Sequence, residues 1–537
     1  MRRFSLLVIS GYYNCVYNSF ANRFTPYFRK AALRIPDDVP VDKLRAVLES
    51  TFLMGDRIDV PLVSLQRHVS SAISLSFANE PRGDAPSGSD SGISRSAMAA
   101  PGNGKSFFIE TFGCQMNDHD SEKVIGVLVG RGYHRVPTTA EADMVFYNTC
   151  SIREKAAHKV FSRLGEFRFG SESKVIAVLG CVAQQEGEKI FERAPWVRLV
   201  CGSASYSKLP ELLGEVEAGG RRVAGLSLDT EETFETDLTR RDNPYRAYLT
   251  IIEGCDYACA YCVVPHTRGP ERSRSSEAVL REVRQLADLG YSEIQLLGQT
   301  VNSYRDPGSR GWNFTALLRA VAAVPGIRRV RFTTSHPNDF HREIIQAIDE
   351  VPAICDHIHL PVQAGSDSIL QAMGRTYTRD QYLEKLSWIR AARRPISVTS
   401  DIIVGFPGET ESDFEQTLSL LDVAQYDGVY SFKYSPRPNT SAARMPRPIP
   451  EEEKERRLAA LMQHQRELQI RQNECIVGQT HEVFVDGHHQ SKNQWAGKTT
   501  SNRLIVFSSP QAALLGQYLQ VKVTRAGPNS FVGEHVL

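Results

Sequence analysis

The chain has 537 residues, 41% of them hydrophobic, a length that exceeds one hydrophobic core and predicts about three domains. A net charge of +1 excludes global attraction to nucleic acid, so any RNA binding must come from local patches, and no apolar run is long enough to span a bilayer, which predicts a soluble protein with no membrane partner. Ten cysteines, mostly clustered, point to metal in a reducing, cytoplasmic compartment and exclude a small disulfide scaffold.

Residues 1–104 differ in texture from the rest. MRRFSLLVISGYYNCVYNSF is too broken by polar residues for a secretory leader, and RGDAPSGSDSGISRSAMAAPGNGK cannot bury enough apolar surface to order itself. The segment reads as a mostly disordered N-terminal extension, with Met98 as a candidate alternative start and no role for Cys15.

From Lys105 short apolar runs alternate with amphipathic stretches. KSFFIETF, DMVFYNT, KVIAVLG and WVRLVCG read as buried strands, with helices near 118–131, 153–168, 184–193 and 206–217. This alternation predicts an open parallel α/β domain over 105–222. Cys114, Cys150 and Cys181 each follow such a strand, and the carboxyl ends of parallel strands share one edge, so topology brings the three thiols together. They read as ligands of an iron-sulfur cluster with one open iron. Cys201 closes a fourth strand and reads as a core thiol competing for that role. The glycines of GVLVGRG (126–132) lie in a helix and make no nucleotide fingerprint.

After an acidic, Arg-flanked linker, strand-like runs AYLTIIEG, EIQLLGQ, RRVRFTT, HIHLPVQ, SVTSDIIVGF and GVYSFKYS alternate with helical stretches, which predicts a partial (β/α)6 TIM-like barrel over 241–470 with its site at the strands' carboxyl ends. The first strand runs into GCDYACAYC. Cys255, Cys259 and Cys262 form a CxxxCxxC array, suited to a cubic cluster but one thiolate short of its ligand set. The open iron is where S-adenosylmethionine binds through its amino and carboxylate groups, an arrangement that resembles the radical-SAM superfamily. The alternative is a structural zinc site that recruits His266. Tyr261 is placed to cover an adenine or to pack in the core, and Asn302, Ser335, Gln363 and Asp401 lie at or near other strand ends. His357 and His359 alternate in a strand and read first as core histidines, as Cys355 and Cys475 read as structural thiols.

PEEEKERRLAALMQHQRELQIRQNE reads as an amphipathic connector helix. Over 473–537, HEVFVDG, RLIVFSS and YLQVKVTRAGPNSFVGE read as short strands of a small β-barrel, with Lys492, Lys498, Arg503, Lys522 and Arg525 as its candidate RNA-binding residues.

The strings TFGCQMN, NTCSIRE, LGCVAQQ, GCDYACAYCVVPHTRGPERSR, LLGQTVNSY, HLPVQAGSDSIL, YTRDQY, DIIVGFPGETESDF and YSPRPNTSAA resemble the methylthiotransferase family of radical-SAM enzymes, from about Lys105 to the C-terminus. The resemblance implies two 4Fe-4S clusters, on Cys114, Cys150 and Cys181 and on Cys255, Cys259 and Cys262, and SAM contacts from Tyr261, Gln299, Asn302, Asp401 and Gly405 of the GFPGE turn. It implies that the C-terminal barrel is a TRAM domain. It also implies an activity: one SAM donates a methyl group to sulfur at the first cluster, a second yields a radical at the other, and a dimethylallyladenosine beside the anticodon of tRNA gains a 2-methylthio group. A reductant such as flavodoxin or ferredoxin and a monomeric state belong to the same picture. LGQTVNSY favours this branch over relatives that modify threonylcarbamoyladenosine or a ribosomal-protein aspartate. Thr300 stands where the family pattern commonly has Asn, and CDYAC where CNKYC is common; neither change replaces a ligand, which confines their expected effect to substrate contacts. The rival outside the enzyme class is a zinc-dependent RNA-binding protein, which leaves the six-fold β/α repeat unexplained.

Overall fold

The computed structural model describes residues 104–151, 154–169, 173–228 and 239–536. The expectations for residues 1–103, including Cys15 and Met98, lie outside the described residues.

The first domain runs β1 (Ser106–Phe112), α1 (Gln115–Gly130), β2 (His134–Arg135), β3 (Met144–Thr149), α2 (Glu154–Gly165), β4 (Val175–Gly180), α3 (Cys181–Glu186), α4 (Lys189–Arg193), β5 (Val197–Cys201), α5 (Leu209–Glu217) and β6 (Val223–Gly225). Its sheet is parallel throughout, in the order β2-β1-β3-β4-β5-β6. Every residue of β3 is buried, as expected of a central strand with both faces covered. Val124, Ile125 and Leu128 of α1 with Leu209, Leu212 and Leu213 of α5 cover one face. Val160 and Leu164 of α2 with Ile190 and Phe191 of α4 cover the other. The short edge strands β2 and β6 were not expected, and β6 carries the sheet past residue 222. The helix expected over 184–193 is two, parted at Gly187.

The second domain runs β7 (Arg246–Thr250), β8 (Ile252–Glu253), α6 (Val264–Arg268), β9 (Arg272–Ser273), α7 (Ser276–Asp288), β10 (Glu293–Leu297), α8 (Phe314–Ala322), β11 (Arg329–Phe332), α9 (Arg342–Glu350), β12 (His357–His359), α10 (Asp367–Ala372), α11 (Arg379–Arg390), β13 (Ser397–Val404), α12 (Glu411–Ala424), β14 (Gly428–Lys433) and α13 (Glu451–Glu474). All six expected strands form. They make two parallel triplets, β7-β10-β11 and β12-β13-β14, which the bridge between Val330 and Ile354 joins into one curved wall. Ser275, Asn313, Thr378 and Thr410 cap α7, α8, α11 and α12 by accepting backbone N–H bonds, so each strand-to-helix turn stops where its sequence signals.

Ala247, Leu249, Ile294 and Leu296 face the helix layer, and the period of two turns Arg246, Tyr248, Glu293 and Gln295 into the lumen. The flanking domains cover this polar side of the lumen. At the start of α1, Gln115 Oε1 accepts from Gln295 Nε2 at 3.0 Å and Met116 Sδ from Thr250 Oγ1 at 3.8 Å.

The third domain is a closed five-stranded barrel of β15 (Thr480–His489), β16 (Gln494–Lys498), β17 (Leu504–Ser508), β18 (Tyr518–Ala526) and β19 (Phe531–His535), in the order β15-β16-β17-β19-β18. It docks at the amino ends of the half-barrel strands. Arg329, 2% exposed, donates to the carbonyls of Lys498 (2.8 Å) and Glu482 (2.9 Å), and Arg331 donates to those of Thr499 (2.7 Å) and Thr500 (3.1 Å).

Candidate cluster sites and the barrel mouth

Strand order sets β1, β3 and β4 side by side, so Cys114, Cys150 and Cys181 do meet at one sheet edge. A hydrogen bond with Cys150 and the nearby Arg268 guanidinium hold the Cys114 thiol down to about 6, against the upward push of burial. Asn148 braces the edge from inside: its Nδ2 donates to Asn117 O and Ser121 Oγ, both at 2.9 Å, and its Oδ1 accepts from Tyr206 OH at 3.1 Å. Gly113 is required before Cys114, because a Cβ there would come within 2.6 Å of Cys150 Cβ. Cys201 points elsewhere, into the core beside Leu199 and Tyr206, and burial pushes its thiol up to about 12.

The second set lies on the loop after β8. Gly254 opens it at φ +82, with a virtual Cβ 1.9 Å from Pro270 O, so only glycine admits the turn. Cys255 N donates to Gly269 O at 3.2 Å, Cys262 N to Cys259 O at 3.0 Å, and Val264 N to Cys262 Sγ at 3.5 Å. Burial raises the Cys255 thiol and pushes that of Cys262 up to about 12. Arg375 Nη1 donates to Cys259 Sγ at 3.7 Å, its Nε is buried without a partner, and no carboxylate pairs with it among the described residues. Sequence reasoning missed Arg375, which lies 113 positions beyond Cys262 in a turn with no metal-like spacing.

The sequence-derived mouth residues have mixed placements. Tyr261 sits beside Arg375, Cys259 and Cys262. Gln299 Oε1 accepts from Gly254 N at 2.6 Å and so shapes the cysteine loop. Asn302 spends both ends of its amide on the His336 backbone at 2.8 Å. Asp401 lies 3.4 Å from His359 Nε2. Gly405 N donates to Glu409 Oε2 at 2.6 Å, and Lys454 of α13 crosses so close that a Cβ would meet its Cγ at 2.2 Å; the turn is stapled to that helix. His357 and His359 both bond Thr399 Oγ1 at 3.0 Å. Ser335 Oγ and His336 Nε2 are buried without partners. Thr334 and Gln363, just past β11 and β12, hold positive φ of 69° and 74°, strain of the kind that collects at functional sites.

Three expectations need correction. Lys498 is packed against Arg246, Arg331 and Asp486, where burial lowers its pKa, and Arg503 pairs with Asp427 at 2.6 Å. Both serve domain docking; Lys492, Lys522 and Arg525 are exposed. Thr300 Oγ1 lies 3.7 Å from Cys255 Sγ, so the exchange at this position reaches the cysteine loop as well as substrate contacts.

The two cysteine sets share a wall. Helix α6, directly after Cys262, packs on α3, which begins at Cys181; Ser203 Oγ donates to Thr267 O at 2.9 Å and Arg268 Nη2 to Asp120 Oδ2 at 2.6 Å. His266 is exposed on α6, and among the described residues no three His, Cys, Asp or Glu side chains gather tightly enough to hold one ion. A cubic cluster does not demand that, since each thiol takes a different iron. The residues fit such a group: a three-thiol loop backed by a buried guanidinium without a carboxylate suits an anionic cluster, and the unpartnered atoms Ser335 Oγ and His336 Nε2 suit a polar cofactor.

A curved six-strand wall with a CxxxCxxC loop at its mouth defines a radical-SAM enzyme. The model of the Radical SAM superfamily matches residues 249–421, that of Uncharacterized protein family UPF0004 residues 106–202, and that of the TRAM domain residues 476–536. The chain is 64% identical over 435 residues to the tRNA-2-methylthio-N(6)-dimethylallyladenosine synthase of Solibacter usitatus, covering 80% of this chain and 98% of that one. It is 59% identical to the synthase of the same name from Koribacter versatilis over 437 residues, again 80% and 98% of the two chains. The chain belongs to the methylthiotransferase family of radical-SAM enzymes, in the branch of the tRNA-2-methylthio-N(6)-dimethylallyladenosine synthases. Among solved structures, the radical S-adenosylmethionine methyltransferase TsrM from Kitasatospora setae aligns at 14% identity and TM-score 0.47, over 63% of this chain and 74% of that one. No described helix is long and apolar enough to cross a membrane.

Proposed function

We propose that this protein adds a methylthio group to C2 of N6-dimethylallyladenosine beside the anticodon of tRNA. The observation that carries the reading is the shared wall: α6 leaves Cys262 and packs on the helix that begins at Cys181, so one short segment serves both cysteine sets.

An unactivated aromatic C–H offers no ordinary acid-base route, and two 4Fe-4S clusters with SAM, when bound, supply the electron, the sulfur and the radical chemistry it needs. The chain's own groups hold and shield them. Cys255, Cys259 and Cys262 hold one cluster, with Arg375 balancing charge at Cys259. Cys114, Cys150 and Cys181 hold the other, with Arg268 beside Cys114 and Cys181. Asn302 ties the loop after β10 to the turn after β11 through the His336 backbone and so keeps the mouth in shape. The first domain and the TRAM barrel cover the β7-β10-β11 side of the lumen and limit water there. Lys492, Lys522 and Arg525 supply exposed positive charge for the tRNA backbone. The protein acts as a monomer in a reducing compartment, fed by a flavodoxin- or ferredoxin-like donor.

The test is anaerobic reconstitution followed by incubation with SAM, a reductant and prenylated tRNA, with mass spectrometry of the digested nucleosides. The methylthio nucleoside is expected, and its separate loss in Cys255→Ala and in Cys150→Ala. SAM cleavage with unchanged tRNA overturns the substrate assignment; zinc without iron overturns the enzyme class.

A further inference from the structure

Along β14 the side chains divide between two environments. Val429 packs on the core, and Lys433 reaches Glu455 of α13 at 3.2 Å, so the odd-numbered positions face that helix. Tyr430 and Phe432 face the opposite way, into the lumen, in register with Asp401 and Ile403 of β13. There they stand 56% and 41% exposed. Single exposed apolar residues need no explanation, but two aromatic rings in alternation on the wall of a catalytic lumen form a surface. That surface is continuous with the candidate site. The chain leaving β14 returns under the cysteine loop, where Ala442 N donates to Ala260 O at 2.9 Å between Cys259 and Cys262. Below it, His359 meets the Tyr430 ring edge-on at 5.7 Å and lies 3.4 Å from Asp401, giving the apolar wall a polar rim.

We infer that Tyr430 and Phe432 are the platform on which the prenylated adenine lies, the rings stacking on the base and Phe432 with Ile403 receiving the five-carbon N6 substituent. The inference rests on the tRNA reading above and adds to it the residues that distinguish a prenylated from a bare adenosine. Unpaired RNA bases are commonly held by aromatic stacking. The flat, apolar and branched parts of this nucleoside match two rings and an aliphatic side chain, and the His359–Asp401 rim offers hydrogen bonding to the base edge. The five-carbon group has no polar atom, so only an apolar wall can select for it, by about tenfold to a few hundredfold.

The test uses the reconstituted full-length protein and two anticodon stem-loop RNAs, identical except for the prenyl group, with affinities read by fluorescence anisotropy. The wild type is expected to prefer the prenylated RNA by at least tenfold. Phe432→Ala and the double variant Tyr430→Ala/Phe432→Ala are expected to bring the two affinities together, while Tyr430→Phe keeps the preference. Thermal melting checks that the variants fold, as expected for exposed positions. Alanine variants that fold and retain the wild-type preference overturn the platform and leave the tRNA reading standing. A wild type that binds both RNAs equally overturns the platform and leaves the tRNA reading standing; one that binds neither overturns the tRNA reading and the platform with it.

Discussion

Arg268 Nη2 lies 2.6 Å from Asp120 Oδ2, with side chains 7% and 1% exposed, and this buried ion pair joins the two domains that carry the cysteines. Arg268→Leu leaves the Asp120 carboxylate buried and unpaired, which costs about 3–5 kcal/mol. Asp120→Asn/Arg268→Leu removes both charges and is expected to lose much less. Urea unfolding of the two variants checks this, the double variant being the more stable.

Iron content separates cysteines that hold clusters from those that pack. Cys255→Ala and Cys150→Ala are each expected to lose about half of the reconstituted iron. Cys201→Ala is expected to retain all of it, because the Cys201 sulfur is directed at the carbonyls of Gly202 and Ser205 at 3.6 Å, within the core. Iron and sulfide assays on the three variants decide the matter; loss of iron in Cys201→Ala would make that thiol a ligand.

These two cases show what was legible in the sequence. The convergence of Cys114, Cys150 and Cys181 was readable because a β/α alternation dictates a parallel sheet whose strand ends share one edge. The six barrel strands were readable for the same reason, each being a short apolar run set off from the next by a helical stretch. Arg268 and Arg375 were not, because nothing in a local pattern says which distant thiol a guanidinium will face. The basic residues of the C-terminal barrel mark a second limit: Lys498 and Arg503 look like phosphate ligands in composition, and only the docked barrel shows them turned inward, toward Asp486 and Asp427. Strand β16 escaped notice because Gln494–Lys498 is short and Gly-containing.

Arg375 is expected to set the reduction potential at the CxxxCxxC loop. A positive charge beside Cys259 favours the more negative, reduced state of a bound cluster, so Arg375→Met lowers the midpoint potential and Arg375→Lys lowers it less. Potentiometric titration followed by electron paramagnetic resonance reads the shift directly. An unchanged midpoint in Arg375→Met would show that this guanidinium serves packing alone.

Glu122 provides a pH signature of the interface between the first two domains. Burial raises its carboxyl from 4.5 to about 8, and its neighbour His119, 3.0 Å away, is held neutral because burial drives its own pKa well below the ordinary value. Between pH 4.5 and 8 the folded chain therefore holds a proton on Glu122 that the unfolded chain has released, so this residue's contribution to stability falls as pH rises through that window. Glu122→Gln mimics the protonated form and removes the loss. Urea midpoints for wild type and variant are expected to coincide near pH 5 and to separate in favour of the variant by pH 8; parallel curves would place Glu122 at an ordinary pKa.

Docking of the TRAM barrel depends on arginines reaching backbone carbonyls. Arg329 is almost wholly buried and donates to Lys498 O, Glu482 O and Glu482 Oε1 at 2.8–2.9 Å, while the Arg328 guanidinium stacks over the Tyr518 ring at 3.7 Å. Arg329→Ala removes the donor from two buried carbonyls, a penalty of about 1–3 kcal/mol for each that is left unsatisfied, while the partly exposed Glu482 carboxylate keeps its pair with Arg328 at 3.1 Å. The small barrel has its own core, around Val483, Val485, Trp495, Ile505, Val521 and Phe531, so it is expected to stay folded while its hold on the half-barrel loosens. Hydrogen exchange distinguishes undocking from unfolding. In Arg329→Ala, protection is expected to fall at the interface turn Thr499–Thr500 and at the amino ends of β10 and β11, while the amides of β17 and β19 stay as slow as in the wild type.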